Sequence, residues 1–110
     1  MIQSAREIYV SPQISGYIVD LVGATRTLRE LRLGVSPRGA LALVLACQVT
    51  AAAEGRSFVT PDDVKRMAYS VLNHRMLMSP EAELQGVTPG TLVARLFEVV
   101  PVPLEAAAAR

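Results

Sequence analysis

The sequence predicts an all-α fold, a compact bundle of about four principal helices, and two features carry that prediction. Five times a hydroxyl residue stands before a proline: Ser11-Pro12, Ser36-Pro37, Thr60-Pro61, Ser79-Pro80 and Thr88-Pro89. The residue before a proline is driven to extended backbone, while proline's fixed φ suits the first helical turn, where its missing N–H is not needed, so each pair reads as a helix start. After four of the pairs, apolar residues recur at the helical period.

The first helix follows Ser11, placed as its N-cap, and Ile14, Tyr17, Ile18, Leu21, Val22 and Leu28 form its apolar stripe with Arg26, Arg29 and Glu30 off it. The second follows Ser36 as N-cap and is apolar nearly all round from Ala40 to Ala53. That pattern predicts a central helix surrounded by the others, with Leu41, Val44 and Leu45 largely buried. The third follows Thr60 as N-cap; Asp62 and Asp63 complement the positive end of the helix dipole, and Val64, Met67, Ala68, Val71 and Leu72 make one face. The fourth follows Thr88 as N-cap, carries Leu92, Val93, Leu96, Phe97 and Val100, and is closed by Pro101 and Pro103. Between the third and fourth, "HRMLMSPEAELQG" has no helical period, and one short extended segment is expected near residues 75–79. No β-hairpin is expected. Residues 1–9 are expected as a connector, 10–103 as the domain, and 104–110 as a disordered tail, because Ala106 to Ala109 has little to bury.

At 110 residues, 51% hydrophobic and 19% charged, the chain has the composition of one globular domain. A net charge of +1 supplies no global field for nucleic acid or an anionic membrane. The most apolar stretch, Gly39 to Ala53, is interrupted by Gln48 and Thr50 and is shorter than the roughly 20 residues of a membrane span, so no membrane insertion is expected. The start "MIQSAREIYV" lacks a signal-peptide pattern, and the single cysteine, Cys47, can form no internal disulfide; a cytoplasmic protein is expected.

No catalytic residue and no metal ligand is assigned. His74 is the only histidine, a nucleophile–base–orienter set is not available, and no G-x-x-x-x-G-K-[ST] loop occurs. Cys47 reads as a small core side chain, His74 as a partner for the C-terminal dipole of the third helix, and the aspartates as caps.

From Gly23 to Gly39 the charged residues are Arg26, Arg29, Glu30, Arg32 and Arg38, which makes a basic corner in a chain of nearly neutral charge. Arg38 falls in the first turn of the second helix, where a cation is disfavoured by about 0.3 to 1 kcal/mol. Either it points into water, or an anion sits nearby and is bound by the arginine and the helix end together.

The runs "LGVSPRGALAL" and "AAAEGRSFVTPDDVKRMAYSVLNHRM" resemble the C-terminal lid domain of MoxR-type AAA+ ATPases, whose typical run is G-A-S-P-R-A, then G-R-x-x-V-T-P-D-D-V, then V-L-x-H-R. "YIVDLVGATR" and "VPVP" are also similar to that family, so the resemblance runs from about Val10 to Pro103. It implies that Arg38 takes the sensor 2 position, the lid arginine that reaches the phosphates of ATP held with Mg in a neighbouring core domain. Gly39 stands where the family has alanine, a difference of up to about 1 kcal/mol in helix propensity. The Walker A loop, the Walker B acids and an arginine finger are absent from these residues, so this segment alone is expected neither to hydrolyse ATP nor to hold a cofactor. The resemblance further implies a longer bacterial parent that hydrolyses ATP, contacts with its own ATPase core and with neighbouring subunits of a ring, usually a hexamer, a chaperone-like role in maturing protein complexes, and a partner carrying a von Willebrand A domain.

Two other readings fit parts of the pattern. A helical protein-interaction module without a nucleotide role explains the helices but not the place of Arg38. A nucleic-acid-binding module would use Arg26, Arg29, Arg32 and Arg38 on phosphates, but the small net charge and the apolar second helix disfavour it, and no nucleic acid partner is expected.

Overall fold

Each hydroxyl–proline pair begins a helix in the computed structural model, which describes residues 5–103. The helices are α1 (Pro12–Thr25), α2 (Pro37–Ala53), α3 (Pro61–Leu72), α4 (Pro80–Leu84) and α5 (Pro89–Val99). Four of them are principal. The fifth, α4, has only 5 residues, too few to display a helical period, although the Ser79 hydroxyl caps it by accepting from the Ala82 N–H at 3.1 Å.

The apolar faces of α1, α3 and α5 close the core from different sides. Ile14, Tyr17, Ile18, Leu21 and Val22 of α1, Val64, Ala68 and Leu72 of α3, and Leu92, Val93 and Leu96 of α5 are all buried. Leu28, Met67, Val71 and Phe97 are partly buried against that cluster.

The second helix departs from the expectation. It buries Gly39, Leu43, Cys47 and Ala51, one row at four-residue spacing, whereas Leu41 and Leu45 are exposed and Val44 is half-buried. The physical reason is that α1, α3 and the N-terminal segment pack against α2, and its single buried row is the side they cover. A helix that is apolar all round is therefore covered on one side only.

A two-stranded antiparallel ribbon joins β1 (Leu31–Leu33) to β2 (Leu77–Met78), with Leu31 opposite Met78 and Leu33 opposite Leu77. The extended segment expected near residues 75–79 is β2. Its partner β1 has three residues far away in sequence and so carries no local hairpin signal.

Residues 5–9 of the expected connector pack on the domain. Ile8 is in the core, its carbonyl accepts from Gln48 Nε2 at 2.9 Å, and Tyr9 forms a parallel bridge to Phe58 through Tyr9 N–H to Ser57 O (2.8 Å) and Val59 N–H to Tyr9 O (2.9 Å). Residues 1–4 of that connector and the expected tail at 104–110 lie outside the described residues.

Between α2 and α3 the run "GRSFVTPDD" folds into an ion-paired elbow. Gly55, at φ +76°, ends α2 in a conformation that favours glycine. Arg56 then grips the fully buried Asp63 with both guanidinium ends, at 2.8 and 2.7 Å, and also donates to Glu54 (2.6 Å) and to the Phe58 carbonyl (3.0 Å). Asp63 and Thr60 complete a reciprocal capping box at the start of α3. Burial pushes the Asp63 carboxyl up, but the Arg56 guanidinium and the Thr60 N–H outweigh it and hold the carboxyl below the usual range. Among the described residues no helix is long and apolar enough to cross a membrane.

Candidate functional site

The start of α2 is held in place by residues far from it in sequence. Thr25, the last residue of α1, is fully buried; its hydroxyl donates to the Val22 carbonyl at 2.6 Å and accepts from the Val35 N–H at 2.8 Å. Gly34 allows the close approach this requires, because a Cβ there would stand 3.0 Å from N, Cα and Cγ of Arg26. The end of α1 is thereby tied to the residues that lead into α2.

Ser36 occupies the N-cap position in extended backbone, with φ −79° and ψ 166°, but its hydroxyl makes no capping hydrogen bond. The Gly39 N–H donates instead to the Ser36 carbonyl at 2.8 Å. Side-chain caps are present at Ser11, which accepts from Ile14 N–H at 3.1 Å, at Thr88, which accepts from Thr91 N–H at 3.3 Å, and at Thr60. These four positions open four different helices and are not brought together; Ser36 alone borders Arg38.

Arg38 is exposed in the first turn, and its side chain makes no hydrogen bond or ion pair with the described residues. That turn contains no acid. The next residue, Gly39, is buried under two side chains: an alanine Cβ there would overlap Cγ1 of Val35 and stand 3.2 Å from Cδ of Arg75. Arg75 thus crosses the base of the turn that carries Arg38, while its Nη1 donates to the Val71 carbonyl at 3.0 Å. The cation that satisfies the C-terminal end of α3 is therefore Arg75, and the histidine expected in that role, His74, lies exposed in the 3-10 turn Asn73–Arg75.

The rest of the basic corner holds one acid, Glu30, and that acid is paired outside the corner. Arg26, Arg29 and Arg32 are exposed and form no ion pair among the described residues. Glu30 is drawn to α5, where Arg95 meets it at 2.8 Å; this hydrogen bond, with others, holds the Glu30 carboxyl below its ordinary range. The corner keeps its positive charge.

Cys47, the free cysteine among the described residues, belongs to the core. Burial, reinforced by the charge of Asp63, pushes the Cys47 thiol up to about 12, which leaves it neither a nucleophile nor a soft ligand near neutral pH. Among the described residues no group of three or more His, Cys, Asp or Glu could hold a metal ion. What the site can do is present a guanidinium, beside a helix end, to an anion carried by another body. Two residues that shape it escaped the sequence reading. Thr25 and Arg75 each sit inside a run shared with the lid family, "GATR" and "LNHR", and that is the signal that could have found them.

Known proteins resemble this chain over most of its length. The family model of the AAA lid domain matches residues 23–96. YeaC, an uncharacterised protein of Bacillus subtilis, is 36% identical over 108 residues, covering 98% of this chain and 34% of its own. Protein MoxR of Paracoccus denitrificans is 34% identical over 110 residues (86% of this chain, 32% of its own), and Chaperone MoxR1 of Mycobacterium tuberculosis is 29% identical over 104 residues (86% and 28%). A crystal structure from Cytophaga hutchinsonii, of a protein proposed there to be an ATPase, superposes with a TM-score of 0.85 at 28% identity, covering 89% of this chain and 32% of that one. The chain spans about a third of the length of these relatives.

Proposed function

The chain belongs to the AAA lid domain family and is a lid of the MoxR type, and from that premise we propose that it couples nucleotide state in an ATPase core to movement, with Arg38 as the sensor 2 arginine. One observation carries the reading: Arg38 stands exposed in the first turn of α2, with no acid in that turn and no ion pair among the described residues. A cation at that end of a helix is unfavourable alone and favourable once a phosphate is shared between them.

The donors present suit phosphate and not its metal. The one carboxylate of the basic corner, Glu30, is engaged by Arg95, so Mg would be held by residues of the core. Nucleotide brought by the core supplies the phosphoanhydride chemistry; this chain's part is to grip phosphate oxygens through Arg38. ATP and ADP would stabilise different lid positions to the extent that Arg38 contacts them unequally. Contacts with the chain's own core and with neighbouring subunits of a ring, and a chaperone role such as the name of Chaperone MoxR1 states for that protein, belong to the same proposal.

The test is Arg38→Ala in the full-length protein that carries this segment. A lost charge-assisted contact of about 1.5 to 3 kcal/mol corresponds to ATP affinity weakened roughly 10- to 100-fold. Arg38→Lys restores only part, for want of a two-pronged donor. Arg26→Ala, at a residue also exposed but outside α2, is the control and should bind ATP nearly as wild type does. If Arg38→Ala also binds and hydrolyses ATP like wild type, Arg38 is no sensor.

A further inference from the structure

We propose that the outer face of α2 is a docking surface for the nucleotide-binding core, so that Arg38 and an apolar stripe below it close onto that core as one contact; the inference rests on the Arg38 reading above. Arg38, Leu41, Leu45 and Val49 are spaced by three, four and four residues, which puts them on one face of the helix, opposite the buried row Gly39, Leu43, Cys47 and Ala51. Leu41 is 70% exposed, Leu45 44% and Val49 52%. Arg38 is the only charged residue among the 17 of α2. A helix on a free surface carries polar residues outward, and this one presents leucine and valine over roughly 12 Å.

What covers the stripe follows from the arginine at its head. The helix is rigid, so a body that brings phosphate within reach of Arg38 also arrives over Leu41, one turn below, and over Leu45 beyond it. Relatives about three times as long as this chain contain ample polypeptide to form such a body. A second copy of the chain fits worse. It offers Arg38 no free acid at the far end of α2, because Glu54 is already held by Arg56 and Arg66.

Val49→Cys in the full-length protein reads the contact directly, by the rate of maleimide labelling with and without saturating ATP. Cys47 is buried and stays silent, and Leu84→Cys, at a site 89% exposed on α4, reports general accessibility. ATP is expected to slow labelling at position 49 by about tenfold or more and to leave position 84 unchanged, and Arg38→Ala in the same background is expected to remove most of that protection. Unchanged labelling at 49, in a protein whose ATP affinity does fall with Arg38→Ala, overturns the docking surface and leaves the arginine's role intact. Protection that persists in an Arg38→Ala protein with normal ATP binding overturns the sensor reading and, with it, the joint contact proposed here. Protection in the nucleotide-free 110-residue chain, together with a dimer in sedimentation, makes the occupant a second copy and overturns the proposal.

Discussion

Gly39→Ala adds one methyl group at the most crowded point of α2, and its effect can be worked from two contacts. The new Cβ would overlap Cγ1 of Val35, which is fully buried, and would stand 3.2 Å from Cδ of Arg75. Alanine gains up to about 1 kcal/mol over glycine in a helix, less in a first turn, while forcing a methyl into a packed site costs about 1 to 3 kcal/mol. The expected net is a destabilisation of about 1 to 2 kcal/mol, against the ordinary preference for alanine. Val35→Ala alone removes two buried methyl groups and leaves a cavity, for about 2 to 3 kcal/mol. In the double variant the alanine at 39 fills the space that Val35 vacates. Urea melts of the four proteins should therefore show the double variant better than the sum of the singles by about 1 to 2 kcal/mol. Additivity within about 0.5 kcal/mol would refute the contact. The typical lid run G-A-S-P-R-A has alanine at both places, so this chain carries two more carbons at Val35 and one fewer at the neighbouring Gly39.

Leu43→Ala, in the buried row of α2, should cost about 2.5 to 4 kcal/mol in the same melts, whereas Leu45→Ala on the outer face should cost less than about 1 kcal/mol; equal costs would mean that the two faces are equally covered. Asp63→Asn should destabilise by about 2 to 4 kcal/mol, below the top of the range for buried pairs because Arg56 keeps 23% of its side chain exposed. Because the folded Asp63 carboxyl titrates below its unfolded value, its contribution is complete above about pH 4 and fades as the pH falls through the folded value. Melts of wild type and Asp63→Asn should therefore converge in acid, and a gap that stays constant to the lowest pH would rule the ion pair out as its source.

What could be read from residues alone follows from how each element is packed. The stripes of α1, α3 and α5 were legible because each faces one core, and burial then repeats with the helical period. The place of Arg38 was legible because Ser36-Pro37 starts a helix by backbone sterics, although the Ser36 hydroxyl turned out not to cap it. The burial of Leu41 and Leu45 was misjudged, since a helix apolar on all sides does not say which neighbour covers which side. The elbow was half legible: Thr60 and Asp63 show as a capping pair, but the grip of Arg56 depends on a loop conformation set by Gly55. A three-residue strand and a five-residue helix are too short for any periodic signal. Thr25 acts on a partner ten positions away, and no local pattern encodes that.

The bridge between Tyr9 and Phe58 makes a mechanical joint between residues 5–9 and the α2–α3 elbow. Its two hydrogen bonds, from Tyr9 N–H to Ser57 O and from Val59 N–H to Tyr9 O, lie side by side in a parallel pair, and Gln48 adds a third tether at Ile8. Tension along the backbone at residues 5–9 therefore loads these bonds together, in shear, where they must break at once and not one after another. Such a load would fall on the α2–α3 elbow and, through Gln48, on the middle of α2. A load applied at residues 5–9 would thus reach the helix that carries Arg38 by two routes, the elbow and Gln48.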